Sequence, residues 1–87
     1  MNRRNQMIRN IVRKASTTIS EEEKVFLQIL DQYPSRNMDE VISKWKYRTQ
    51  RKDFGNVIQK LLAKHLIIED NDLEIFMLSS RGMAILN

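Results

Sequence analysis

The chain has no cysteine among its 87 residues, so no disulfide framework or thiolate metal centre can hold it together, and packing must supply its stability. Its one histidine, His65, has no second ligand at helical or hairpin spacing, which removes the usual basis for zinc binding and for histidine-based catalysis. Two glycines, Gly55 and Gly82, cannot build a phosphate-cradling loop. No apolar run approaches the ~18 residues of a membrane span, and the first residues are charged where a secretory leader needs an apolar stretch, so a soluble, cytoplasmic protein is expected. At this length one domain is expected, burying roughly 60–65% of the surface its unfolded chain exposes. That leaves little room for a catalytic cleft beside its scaffold. Asp70, Asp72 and Glu74 alternate like the start of a calcium loop but lack its glycine and its closing glutamate. No enzyme activity, metal or cofactor is expected.

Basic charge is present, and it is unevenly spread. Residues 1–20 carry five basic and no acidic groups, and residues 41–65 carry seven basic and one acidic. Residues 21–40 and 66–87 are net acidic, with six and four carboxylates. The net charge of +4 is therefore concentrated in an N-terminal arm and in one central segment, where it can attract phosphates.

Ser20-Glu21-Glu22-Glu23 reads as a capping box that opens a helix whose Val25, Phe26, Ile29 and Leu30 form an apolar stripe. Three carboxylates in the first turn suit the positive end of the helix dipole. Pro34 should stop this helix near Tyr33. Asn37 or Asp39 can cap a second helix with Val41, Ile42 and Trp45 facing inward. After a turn near Tyr47-Arg48, Thr49 is expected to cap a third helix, spanning 49–64. There Phe54, Val57, Ile58, Leu61 and Leu62 cluster on one side, and Lys52, Asn56, Gln59, Lys60 and Ala63 lie opposite. Leu66-Ile67-Ile68, a turn at Asp70-Asn71-Asp72 and Leu73 to Leu78 read as a hairpin, and Ser79 can cap a last short helix. The expected architecture is α+β and mainly α, with an extra basic amphipathic helix in an N-terminal arm over 1–18, broken at Ser16-Thr17-Thr18, and a domain over 19–87.

Three helices followed by a two-stranded wing resemble the winged-helix DNA-binding fold. Leu61-Leu62-Ala63-Lys64-His65-Leu66-Ile67 and Phe76-Met77-Leu78-Ser79-Ser80-Arg81-Gly82 are similar to stretches of MarR-like and PadR-like bacterial regulators. In those, the recognition helix ends in Leu, polar residues and Gly-Leu-Ile, and the second wing strand runs into Leu, Ser or Thr, two variable residues and Gly. The resemblance covers residues 20–87. His65 stands where those proteins carry glycine at the helix end, and the wing is acidic where theirs is commonly basic.

The resemblance implies a recognition helix in the major groove of double-stranded DNA. Gln50, Lys52, Asn56 and Gln59 would then face base edges, while Lys44, Lys46, Arg48, Arg51 and Lys60 would neutralise phosphates. Arm residues Arg3, Arg4, Arg9, Arg13 and Lys14 would add phosphate contacts. The same pattern also fits a helix that merely presents a solvated face. Trp45 and Phe54 could stack on bases, but their register with Val41, Ile42, Val57 and Ile58 places them in the core. Both faces of the second wing strand are largely apolar: one should join the core, and the other, with Leu73, Ile75 and Met77, is expected to be a dimer or partner surface that Met7, Ile8, Ile11 and Val12 of the arm cover, either within one chain or across a dimer. Two other readings stay open: an adaptor that binds a protein partner through its acidic wing, and a protein that binds single-stranded nucleic acid.

Overall fold

The computed structural model describes residues 18–34 and 36–87. The arm residues Arg3, Arg4, Met7, Ile8, Arg9, Ile11, Val12, Arg13 and Lys14 lie outside the described residues. Four helices and one hairpin make up the described chain, in the order α1 (Glu21–Gln32), α2 (Met38–Thr49), α3 (Phe54–Ala63), β1 (Ile67–Asp70), β2 (Ile75–Leu78) and α4 (Ser80–Leu86). This is a mainly helical α+β fold with the layout of a winged helix, as expected.

The reciprocal capping box at the start of α1 is present: the Ser20 hydroxyl accepts from the Glu23 amide, and the Glu23 carboxylate accepts from the Ser20 amide. The helix ends at Tyr33, before Pro34. Its buried side is wider than the expected stripe, since Leu27 is fully buried beside Phe26, Ile29 and Leu30. Asn37 rather than Asp39 caps α2, accepting from the Glu40 amide at 2.9 Å.

The boundary between α2 and α3 departs from expectation. No turn forms at Tyr47-Arg48, because that segment holds no helix breaker and α2 continues to Thr49. The Thr49 hydroxyl donates back to the Trp45 carbonyl at 2.8 Å, which spends it inside α2 instead of capping α3. Gln50 then turns the chain through a left-handed conformation (φ 59°). The third helix is therefore Phe54–Ala63, not 49–64. Asp53 stands at its N-cap without a side-chain capping bond, since its carboxylate is held by Arg51.

The end of α3 is closed by a Schellman pair. The His65 amide donates to the Leu62 carbonyl and the Leu66 amide to the Leu61 carbonyl, both at 3.0 Å. His65 takes the left-handed conformation (φ 59°) that glycine adopts most cheaply, so the substitution leaves the motif intact.

The hairpin pairs Ile67 with Leu78 through Asp70 with Ile75 in antiparallel register. Its turn occupies residues 71–74, with the Asp70 carboxylate accepting from the Leu73 amide at 3.0 Å. Leu73 thus belongs to the turn and is exposed. It does not share a strand face with Ile75 and Met77, which corrects the expected strand from Leu73 to Leu78. The loop before α2 reaches the hairpin through a bridge from Asn37 to Ile75.

Trp45, Phe26, Leu27, Ile29, Val41 and Leu61 are fully buried at the centre of the core. Phe76 of β2 joins them edge-on to Phe26, with ring centroids 5.6 Å apart. Ser79 caps α4 by accepting from the Gly82 amide, and its hydroxyl donates to the His65 carbonyl at 2.6 Å. One serine therefore clamps α4 to the end of α3.

The two glycines do different jobs. A Cβ on Gly82 would run into the Leu66 carbonyl oxygen, whereas one on Gly55 would meet nothing within 4 Å. Gly82→Ala is expected to lower stability by about 1–3 kcal/mol through overpacking. Gly55→Ala should raise it by about 0.5–1 kcal/mol through helix propensity. Paired urea denaturation curves check both signs.

Candidate nucleic-acid interface

The outward face of α3 is polar. Val57 and Leu61 are buried and Phe54, Ile58 and Leu62 half-buried, while Gly55, Asn56, Gln59, Lys60 and Ala63 are exposed. Lys52 is exposed in the turn just before the helix. Among the described residues, Lys52 and Lys60 make no ion pair. Carboxamides and ammonium groups with no competing partner can donate to base edges or phosphates.

Both ends of this helix are tied to the first turn of α1. Before α3, Arg51 reaches Glu22 at 3.3 Å. After α3, Lys64 reaches the buried Glu23 carboxylate at 2.8 Å. The Glu22 carbonyl also accepts from the Trp45 indole at 2.9 Å, which brings α2 to the same point. The capping role expected for this acidic turn is real but incomplete, since Glu22 and Glu23 also position α3. Sequence spacing could not reveal that, because the partners lie more than twenty residues away.

Several residues expected at the interface are engaged internally. Arg51 grips Asp53 with two parallel hydrogen bonds of 3.0 Å in addition to Glu22, and the first of these interactions holds the Asp53 carboxyl below its ordinary pKa. Its charge is largely balanced inside the turn. The Gln50 amide donates to the Tyr47 carbonyl at 2.6 Å, and Gln50 stands at the C-cap of α2 rather than on α3. Arg48 donates to the Gln32 side chain at 2.8 Å. Lys46 lies 4.8 Å over the Phe54 ring and Lys44 lies 4.3 Å over the Tyr33 ring, so each ammonium is held near an aromatic face and keeps its charge. Asn56, Gln59 and Lys60 thus share the exposed face of α3, with Lys52 exposed in the segment before it, while Lys46 stands over Phe54 at the start of the helix. Lys44 and Arg48 instead flank a separate surface groove of about 390 Å³ with Ser43 and Tyr47.

Tyr47 is 80% exposed beside those two cations. Its position on α2 was legible only as a turn residue, because the helix was expected to end there. Trp45 is fully buried and Phe54 half-buried beneath Lys46, so neither offers an open stacking face. The acidic wing residues Glu69, Asp72 and Glu74 are exposed.

No helix among the described residues is long and apolar enough to cross a membrane, and no cluster of three or more potential ligands among them could hold a metal ion. Comparison of the chain with protein-family models, curated proteins and solved structures finds no match.

Glu23 is only 3% exposed. Burial, the largest single influence on it, pushes its pKa up; the hydrogen bonds from Lys64 and Ser20 and the Lys64 charge together outweigh that, so the pKa sits below the ordinary 4.5. A carboxyl lowered in the folded state contributes stability that is fully present above its unfolded pKa and is lost as pH falls through the folded value. The urea midpoint of the wild type should therefore fall steeply below about pH 4.5. In Glu23→Gln the midpoint should be lower at neutral pH, and that acid limb should be shallower.

Proposed function

We propose that the chain is a double-stranded-DNA-binding protein, a small transcriptional regulator that lays α3 in the major groove. The observation that carries this reading is the uncommitted polar face of Asn56, Gln59 and Lys60 with Lys52 at its start, on a helix anchored at both ends. Anchoring matters because a pre-positioned reading element loses less conformational freedom on binding. Asn56 and Gln59 present the carboxamides that pair with adenine edges in a major groove. Lys52 and Lys60 neutralise flanking phosphates, and Lys44, Lys46 and Arg48 widen the positive field without carrying sequence information. Gly55 leaves the flank of the helix open to a sugar–phosphate backbone. The resemblance of residues 61–67 and 76–82 to MarR-like and PadR-like regulators supports the same assignment.

A second reading has its own observation. Ile68 and Leu73 are 49% and 65% exposed on the acidic hairpin, a surface that suits a protein partner better than a phosphate chain. In that adaptor reading α3 is only a solvated helix.

Gel-shift titrations on a random duplex pool separate the two. Lys52→Glu and Lys60→Glu should each weaken binding across all sequences and lower the log–log salt slope by about 1. Asn56→Ala and Gln59→Ala should instead relax discrimination at single positions by about 1–3 kcal/mol. Absence of duplex binding even at low salt removes the DNA reading, and tighter binding to single strands at equal salt replaces it.

A further inference from the structure

The C-terminal end of α1, strand β2 and α4 line an open groove of about 400 Å³. Leu30, Pro34, Phe76, Met77 and Met83 line it, with Asp31 among them. Met83 is 48% exposed on it, and among the described residues Asp31 makes no ion pair. An apolar trough carrying one unbalanced carboxylate fits an occupant that is apolar on one side and cationic on the other.

The chain carries such a segment. Residues 1–17 place Met7, Ile8, Ile11 and Val12 at i, i+1, i+4 and i+5, and interleave them with Arg3, Arg4, Arg9, Arg13 and Lys14 and no acidic residue. Length permits the connection. The described chain starts at Thr18, beside the N-terminus of α1, and the groove lies at the far end of that helix. Twelve helical residues span about 18 Å. The six steps from Val12 to Thr18 can extend about 20 Å, so Val12 and the apolar residues before it can reach the groove of their own chain. The exposed carboxylates of the neighbouring wing, Glu69, Asp72 and Glu74, add attraction for the same basic segment.

We propose that the groove between α1, β2 and α4 is the docking site for this chain's own segment 7–12, with the apolar residues in the trough and a basic side chain opposite Asp31. The segment then supplies the cover that β2 lacks, and its remaining arginines stay available to phosphate. This inference stands independently of the DNA-binding reading, because its readout involves no nucleic acid.

The absence of native cysteine allows a single nitroxide to be placed on Asn10→Cys, which leaves the apolar residues untouched, in protein carrying ¹³C-methyl methionine. The groove contributes its own reporters in Met77 and Met83. Docking predicts loss of both methyl resonances relative to a diamagnetic tag, with intensity retained when spin-labelled unenriched chain is mixed with unlabelled enriched chain. Adding Ile8→Asp and Ile11→Asp to the spin-labelled chain should restore both signals. Unbroadened methyls overturn the proposal. So does broadening in the mixture, which assigns the groove to a second copy, and so does broadening that survives the two aspartates, which reduces it to proximity through the tether.

Discussion

The first turn of α1 is the constraint on which the arrangement of the other helices depends. Two adjacent residues there hold three connections: the Glu22 carbonyl takes the Trp45 indole of α2, the Glu22 carboxylate meets Arg51 before α3, and the Glu23 carboxylate meets Lys64 after it. The exposed Arg51 pair adds little stability by itself. Its geometric effect is larger, because the two ends of a ten-residue helix are referred to one rigid point. Glu23 can stay ionised in a buried setting because Ser20 and Lys64 saturate it, and no buried side-chain polar atom among the described residues lacks a partner.

That anchoring divides the basic residues into two groups. Arg51 and Lys64 are consumed in holding the helix, and Arg48 leans on Gln32. Lys52 and Lys60 lie between the anchors and make no ion pair among the described residues, although the Lys60 charge helps to lower the Asp53 pKa. A basic segment that looks uniform along the chain therefore separates into scaffold and surface. The division follows from which carboxylates the fold brings near, since an arginine beside a bidentate aspartate has little charge left to offer.

At the opposite end, a few small groups join α3 to the wing and to α4. His65 accepts a left-handed backbone so that Leu66 can bond back to Leu61. The Leu66 carbonyl then accepts the Ser79 amide, and the Ser79 hydroxyl returns to the His65 carbonyl. Gly82 is the residue that lets α4 pass close to this knot. The Leu-Ser-x-x-Gly wording noted in the sequence thus has a steric origin in the contact between α4 and the end of α3.

By itself the sequence determined what local chemistry determines. It gave the capping box at Ser20, the stop at Pro34, the Asn37 cap as one of two choices, the inward faces of all three core helices and a hairpin followed by a capped short helix. Each of those depends on neighbours within one or two turns. Where α3 begins was also settled locally, by a competition that spacing does not rank: Thr49 and Asp53, both able to cap, bond Trp45 and Arg51 four and two residues away instead. The tertiary structure alone decided which cations are drawn into ion pairs with α1 and that β2, α1 and α4 leave a trough between them. Those outcomes turn on contacts between residues far apart in the chain, whose distances no local pattern encodes.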